Sequence, residues 1–329
     1  MKLRTIGLIS TLTLGLLAGP LPAEAQQAGK VYRIGWLALG SRDSRAVYGE
    51  PFLQGLHDLG WIEGQNLIIE WRYAGGRTER LPDLASELVR LKPDVILTLS
   101  SPAAQAALNT TRTIPIVFTF VTAPVESGFV ASLARPGGNI TGLESIFPEV
   151  AGKWLELLKE TIPGLSHVAF LWDARNPGIA RIFKQAQVAA ETLGLTLQSV
   201  PVRDLTEIEP AFSVMTRERA EALVEFGGGL TIMHRRRMAD LALKHRLPTM
   251  FWNPLYVKAG GLMAYTANYP AMFRRAAHFV AKILNGAKPA DLPVERPTDW
   301  DLVINLKTAK QLGLTIPPSI LYQADEVIK

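Results

Sequence analysis

The 329-residue chain contains no cysteine. That excludes a disulfide framework, a thiolate metal site and a cysteine nucleophile. It also removes the residue on which a bacterial lipoprotein anchor is built. Histidine is scarce: His57, His167, His234, His245 and His278 are scattered, and no pair has metal-ligand spacing. The GxSxG elbow, the HExxH zinc motif, the GxGxxG turn and the GxxxxGK[ST] phosphate loop are all missing. No catalytic set, metal or cofactor is therefore expected. Beyond residue 25, no apolar run reaches the roughly 20 residues that a membrane-spanning helix needs. A chain of this length without cross-links must be held by its core, and the length suggests two domains.

What is present begins with a targeting pattern. Lys2 and Arg4 precede an uncharged apolar stretch over residues 5–19, and Ala23-Glu24-Ala25 follows with small residues at the two positions a signal peptidase reads. This is the layout of a secretory signal peptide over residues 1–25, with Gln26 as the first mature residue. Pro20 and Pro22 interrupt the stretch, which argues against a membrane anchor. Cleavage removes Lys2, Arg4 and Glu24, so the net charge goes from +5 to +4. The densest basic run, Arg235-Arg236-Arg237, falls in a helical pattern and reads as a solvated face rather than a nucleic-acid site. A periplasmic protein, free of nucleic acid and monomeric, is the expectation.

The mature chain alternates short apolar runs with amphipathic stretches. Strands are expected at 31–37, 67–71, 94–99 and 116–120, with helices at 48–59, 81–91 and 103–109 between them. After Gly142 the rhythm restarts. Helices are expected at 153–160, 179–193, 208–219 and 233–245, and strands at 167–172, 195–201, 222–226 and 249–252. The C-terminal part is less regular: a helix at 271–284, a short strand at 302–304, a helix at 307–312 and a turn at Pro317-Pro318. Continuous apolar strands in βα order imply parallel sheets covered on both faces. The fold class is α/β, with two Rossmann-like lobes.

In open α/β sheets, ligands bind beyond the carboxyl ends of the strands. That selects Trp36 and Ser41 after the first strand, Ser100, Ser101 and Ala103 after the third, and Thr119 and Phe120 at the end of the fourth. In the second block it selects Trp172, Asn176, Glu225, Phe226, Trp252 and Asn253. Ser100-Ser101-Pro102 ends a strand and opens a helix, so free N–H groups and two hydroxyls form a cradle for a carboxylate or phosphate. An ordinary N-cap has the same sequence. Glu225, before Gly227-Gly228-Gly229, reads as a partner for a ligand ammonium or as a solvated loop acid. Trp36, Trp172, Phe226 and Trp252 read as stacking surfaces for an apolar ligand or as core.

Several strings are more specific. They are LARPGGNITG at 133–142, GLHDLGWIEGQN at 55–66, LKPDVI at 91–96, GGLM at 260–263, FRRAA at 273–277, KPADLP at 288–293, NLKTAK at 305–310 and ADEVI at 324–328. Together they resemble the ABC-transporter substrate-binding protein family typified by the tryptophan-binding protein TrpX, over nearly the whole mature chain. The resemblance implies a type I periplasmic binding protein: two lobes joined by crossovers, a cleft that closes on a small solute by hinge bending, and an ABC permease with its ATPase as membrane partners. The same fold presenting its closed form to a receptor is the alternative. The implied lobes are 26–145 plus 268–296 and 146–267 plus 297–329. The implied solute is an aromatic or branched-chain amino acid or a related carboxylate. Two departures weaken the carry-over of an amino-acid ligand. The chain has Ala123-Pro124 where the family often has Asp-Pro, and Phe226 followed by three glycines where it often has a Ser-Asp-Pro-like turn.

Overall fold

The computed structural model describes residues 30–145 and 149–329. The segment read as a signal peptide lies outside the described residues, as do positions 146–148.

The first sheet contains β1 (Tyr32–Ala38), β2 (Leu67–Tyr73), β3 (Val95–Leu99), β4 (Ile116–Val121) and β5 (Ile140–Glu144) in the order β2-β1-β3-β4-β5, and every pair is parallel. Its strands β3, β4 and β5 are almost wholly buried, which explains their largely apolar runs, while the edge strand β2 is only partly covered. The two-residue period divides β1: Ile34, Trp36 and Ala38 join a cluster with Phe52, Leu56 and Phe273, while Leu37 joins Ile96, Phe118 and Leu88 on the other face. Helices α1 (Glu50–Asp58), α2 (Leu81–Arg90) and α3 (Ser101–Thr110) supply these covers.

The second sheet contains β6 (His167–Asp173), β7 (Thr196–Val202), β8 (Ala222–Phe226), β9 (Thr249–Phe251), β10 (Met263–Ala267), β11 (Trp300–Asn305) and β12 (Glu326–Ile328). Their order is β12-β11-β10-β9-β8-β6-β7. Around it lie α4 (Val150–Thr161), α5 (Pro177–Leu193), α6 (Ile208–Arg217), α7 (Gly229–Ile232), α8 (Arg235–Lys244) and α9 (Pro254–Lys258). Trp154 of α4 is fully buried and donates its indole N–H to the Tyr265 carbonyl at 2.8 Å, which fixes that helix against β10.

The chain then returns to the first sheet. Helix α10 (Tyr269–Leu284) packs along α1 and against β3, β4 and β5. Gly55 permits this: a Cβ there would lie 3.0 Å from the Arg274 backbone and 2.9 Å from the Ala277 Cβ. Residues after α10 pair with β5, where the Glu295 amide donates to Gly142 and the Glu144 amide to Glu295. The chain crosses back into β11, and α11 (Leu306–Leu312) and α12 (Pro318–Gln323) finish the second lobe.

Several details differ from the sequence reading. β10 and β11 are antiparallel within an otherwise parallel sheet, because the chain enters β11 from the other lobe. The helix expected at 233–245 is α8, which begins at Arg235, and a separate short helix, α7, precedes it. The helix expected from residue 48 begins as a π-turn, Arg45–Gly49, ahead of α1. Pro317-Pro318 opens α12 rather than a free turn, since proline suits a first helical position. Strands β5, β10 and β12 and helix α9 were not expected; each is short, and β5 carries Gly142 at positive φ.

Candidate functional site

The carboxyl ends of both sheets face each other. The loops after β1, β3, β4, β6, β8 and β9 enclose one cavity of about 400 Å³. Among the described residues, four aromatic side chains line it: Tyr48 and Phe120 from the first lobe, Phe226 and Trp252 from the second. They touch each other across the divide. Phe120 lies edge-on to Tyr48 at 5.0 Å and to Trp252 at 6.4 Å, and Trp252 lies edge-on to Phe226 at 5.6 Å. Edge-to-face packing of this kind gives a rigid apolar wall.

The lobes meet elsewhere too. The Asn253 amide donates to the Tyr48 hydroxyl at 2.9 Å, and the Tyr269 hydroxyl donates to the Trp252 carbonyl at 3.1 Å. A Cβ on Gly229 would lie 2.4 Å from Leu39, and one on Gly178 would lie 3.2 Å from the Thr122 carbonyl. The backbone of the second lobe therefore rests directly on the first.

The polar part of the wall is small. Ser100 ends β3 as N-cap of α3, and its hydroxyl accepts from the Ala103 amide at 3.3 Å. Its φ of 126° and ψ of 157° are in a region nearly confined to glycine. Phe120 at the end of β4 also has positive φ, 54°. Both strained residues line the cavity. Ser101 follows, and its hydroxyl and amide bond no protein group among the described residues. From the second lobe come Asp173 and Arg175, joined by two side-chain hydrogen bonds of 3.0 and 3.1 Å. Asn176 caps α5 through the Gly178 amide at 3.0 Å. Arg235 lines the cavity as well.

Of the residues singled out by sequence, the cavity wall contains Ser41, Ser100, Ser101, Phe120, Asn176, Phe226 and Trp252. The others sit elsewhere, each for a visible reason. Trp36 is wholly buried among Phe52, Trp71 and Phe273, on the α1 and α10 side of its sheet. Ala103 is buried, and its amide is taken by the Ser100 cap. Thr119 is buried and donates to the Thr98 carbonyl at 3.3 Å. Trp172 alternates away from Asp173; it stacks on Phe183 at 5.5 Å and donates to Ser199 at 3.0 Å. Asn253 bonds Tyr48 and caps α9 through the Leu255 amide at 3.0 Å.

Glu225 needs the fullest correction. It is not part of the cavity lining, and it is not a solvated acid. It lies wholly buried behind the loop 227–229, where one carboxyl oxygen accepts from the Gly227 amide at 2.8 Å and the Thr231 hydroxyl at 2.6 Å. Thr231 also meets the Tyr256 hydroxyl at 2.8 Å. Burial pushes this carboxyl up to about 7, against the Thr231 and Gly227 hydrogen bonds that favour its ionised form. Glu225 thus shapes the loop that forms part of the wall.

Sequence reasoning missed Tyr48 and Arg235, and it weighed Asp173 only as an acid to pair with Glu225. Tyr48 falls on a π-turn rather than at a strand end. Arg235 sits in a run that reads as a surface face. Asp173 follows Trp172 directly, and strand alternation points it inward instead.

A model of the family described as ABC transporter substrate binding protein matches residues 34–328. The chain belongs to that family. This binding protein has the two-lobed type I periplasmic binding fold. A tyrosine-binding protein from Clostridioides difficile strain R20291 is 26% identical over 263 residues, covering 80% of this chain and 75% of the relative. The structure of an ABC domain in complex with L-Trp from Streptococcus pneumoniae is 26% identical with a TM-score of 0.85, covering 90% of this chain and 99% of that one. A ligand-free, open structure of a substrate-binding protein with adhesive properties from Clostridium difficile is 25% identical with a TM-score of 0.69, covering 91% and 100%. The higher similarity to the ligand-bound neighbour agrees with lobes that touch across the cleft. Among the described residues, no group of three or more His, Asp or Glu side chains is placed to hold a metal, and no helix is long and apolar enough to cross a membrane.

Proposed function

We propose that this binding protein captures a small, largely apolar solute outside the cytoplasm and delivers it to the permease and ATPase of an ABC importer. The observation that carries this reading is the cavity itself. It lies between the carboxyl ends of two sheets and is walled by Tyr48, Phe120, Phe226 and Trp252, two aromatics from each lobe. A solute seated there touches both lobes only when they are together, so binding favours the closed form by its differential affinity. Solute enters between parted lobes, the lobes close by hinge bending at the crossovers, and the closed surface is what the permease recognises. The lobes are taken as residues 26–145 with 268–296 and residues 146–267 with 297–329. Residues 1–25 act as the export signal, and the mature protein works as a monomer in the periplasm. The solute class is an aromatic or branched-chain amino acid or a related carboxylate, the former in line with the relatives that bind tyrosine and L-Trp.

A thermal-shift screen of the mature protein against amino acids, aromatic acids and small carboxylates tests this. A ligand at 100 times its dissociation constant stabilises a protein by about 2.7 kcal/mol. A reproducible shift with one chemical class is the expected result. No shift with any small solute would overturn the reading.

A further inference from the structure

We propose that the solute is an aromatic monocarboxylate without an α-ammonium group, such as an arylpropionate, rather than an amino acid. This rests on the solute-capture reading and narrows it.

The argument is one of charge on the wall. An α-amino acid taken from water brings an ammonium whose lost hydration must be replaced by a free carboxylate or several acceptors. Among the described residues, only two carboxylates line the cavity, Asp43 and Asp173. Both oxygens of Asp173 are taken by the guanidinium of Arg175, at 3.0 and 3.1 Å, and the Arg175 amide adds a third bond at 3.0 Å. That bidentate pair is neutral as a unit. Asp43 is exposed, and its carboxylate accepts from the Ser41 hydroxyl at 3.3 Å. Glu225, the other acid near the cleft, lies behind the loop 227–229 and outside the cavity lining; its Oε1 takes two donors, and its Oε2 is buried with no hydrogen-bond partner among the described residues.

The positive side is different. Arg235 lines the cavity and bonds only the Ile232 carbonyl, at 3.4 Å; among the described residues it meets no carboxylate. It is half-buried, where a guanidinium holds a carboxylate more strongly than at an open surface. The Ser101 hydroxyl and amide add open donors on the facing lobe. The sheltered wall thus offers an unneutralised cation and free donors beside four aromatic side chains, with no unpaired acid beyond exposed Asp43. That matches an anionic end on an aryl body.

The test is calorimetric titration with matched pairs at one pH: L-phenylalanine against 3-phenylpropionate, and L-tryptophan against indole-3-propionate, with 3-phenylpropanamide as the uncharged control. The arylpropionates are expected to bind at least tenfold tighter than their amino acids and than the amide. Arg235→Gln should weaken arylpropionate binding about tenfold and amide binding by much less, while Arg235→Lys should restore part of the loss. Ligand-free melting temperatures confirm that the variants fold. Amino acids binding as tightly as the arylpropionates, or more tightly, would overturn the inference and leave solute capture standing. Arylpropionate binding unchanged in a folded Arg235→Gln variant would also overturn it, since the free cation carries the argument. No binding by any of these probes, together with silence in the wider screen, would remove both readings.

Discussion

Tyr48 and Asn253 are 205 positions apart in the chain, yet the Asn253 amide donates to the Tyr48 hydroxyl at 2.9 Å in a buried bond between the lobes. Burial pushes the Tyr48 hydroxyl up to about 12, so it stays protonated at any physiological pH. Its ring meanwhile stacks on Phe273 at 5.1 Å within its own lobe. The residue therefore belongs to the first lobe by packing and to the second by hydrogen bonding. Tyr48→Phe keeps the packing and removes the bond, leaving the Asn253 amide buried without its partner when the lobes are together. The closed form should lose about 1–3 kcal/mol. Solute affinity should fall while the ligand-free melting temperature changes little, and titration calorimetry with any solute from the screen reads this. Equal affinity would show that the bond does not contribute to closure.

Gly178 gives a steric counterpart. A Cβ there would already lie 3.2 Å from the Thr122 carbonyl of the facing lobe, and backbone cannot turn aside as a side chain can. Gly178→Val should hold the lobes apart and lower affinity roughly tenfold, about 1.4 kcal/mol. Small-angle scattering with saturating solute should show a larger radius of gyration than the wild type. An identical radius would refute steric blocking.

Glu225 makes stability depend on pH. Its carboxyl is pushed up to about 7 in the folded protein from an ordinary value of 4.5. The folded state therefore retains a proton that the unfolded chain releases at lower pH. The stability contributed is fully present below the unfolded value and is lost as pH rises through the folded one, then stays level. Melting temperature should fall between pH 5 and 7.5 in the wild type, and fall less in Glu225→Gln. The differential is on the order of a few kcal/mol at most. Parallel melting curves against pH would assign the titration to another group.

The crossovers contain a second buried acid. Glu144 is 1% exposed; one oxygen accepts from the Ala123 amide at 3.1 Å and the other from the Arg296 side chain at 2.8 Å. Removing Arg296 would leave a buried carboxylate without its cation. Arg296→Met should destabilise by about 3 kcal/mol near neutral pH. The deficit should shrink as pH falls, because burial already raises the Glu144 carboxyl and protonation removes the unpaired charge. Chemical denaturation at pH 7 and pH 5 checks both parts.

The α/β class and most long elements were legible because their patterns are strong: β1, β3 and β8 are mostly apolar runs, and α2 and α5 have clear apolar stripes. Strand ends also pointed to Ser100, Phe120, Phe226 and Trp252. The failures have one physical origin. A strand end specifies a place in the chain but not a direction for the side chain. Trp172 and Asp173 are neighbours, and the two-residue period sends only the second into the cavity. Glu225 looked available because it precedes three glycines, but those glycines let the backbone fold over it. Tyr48 and Arg235 depend on where two lobes meet, and no local pattern carries that information.

The path of α10 has a consequence for synthesis. Trp36, Phe52 and Leu56 are laid down early, but the helix that seals them spans residues 269–284. Until the ribosome has passed the last of these, the first lobe has an apolar face with nothing to cover it. The nascent chain is thereby held back from premature compaction, and a product truncated before residue 269 would be a natural target for proteases. In such a polypeptide, topology alone postpones folding until almost the whole message has been read.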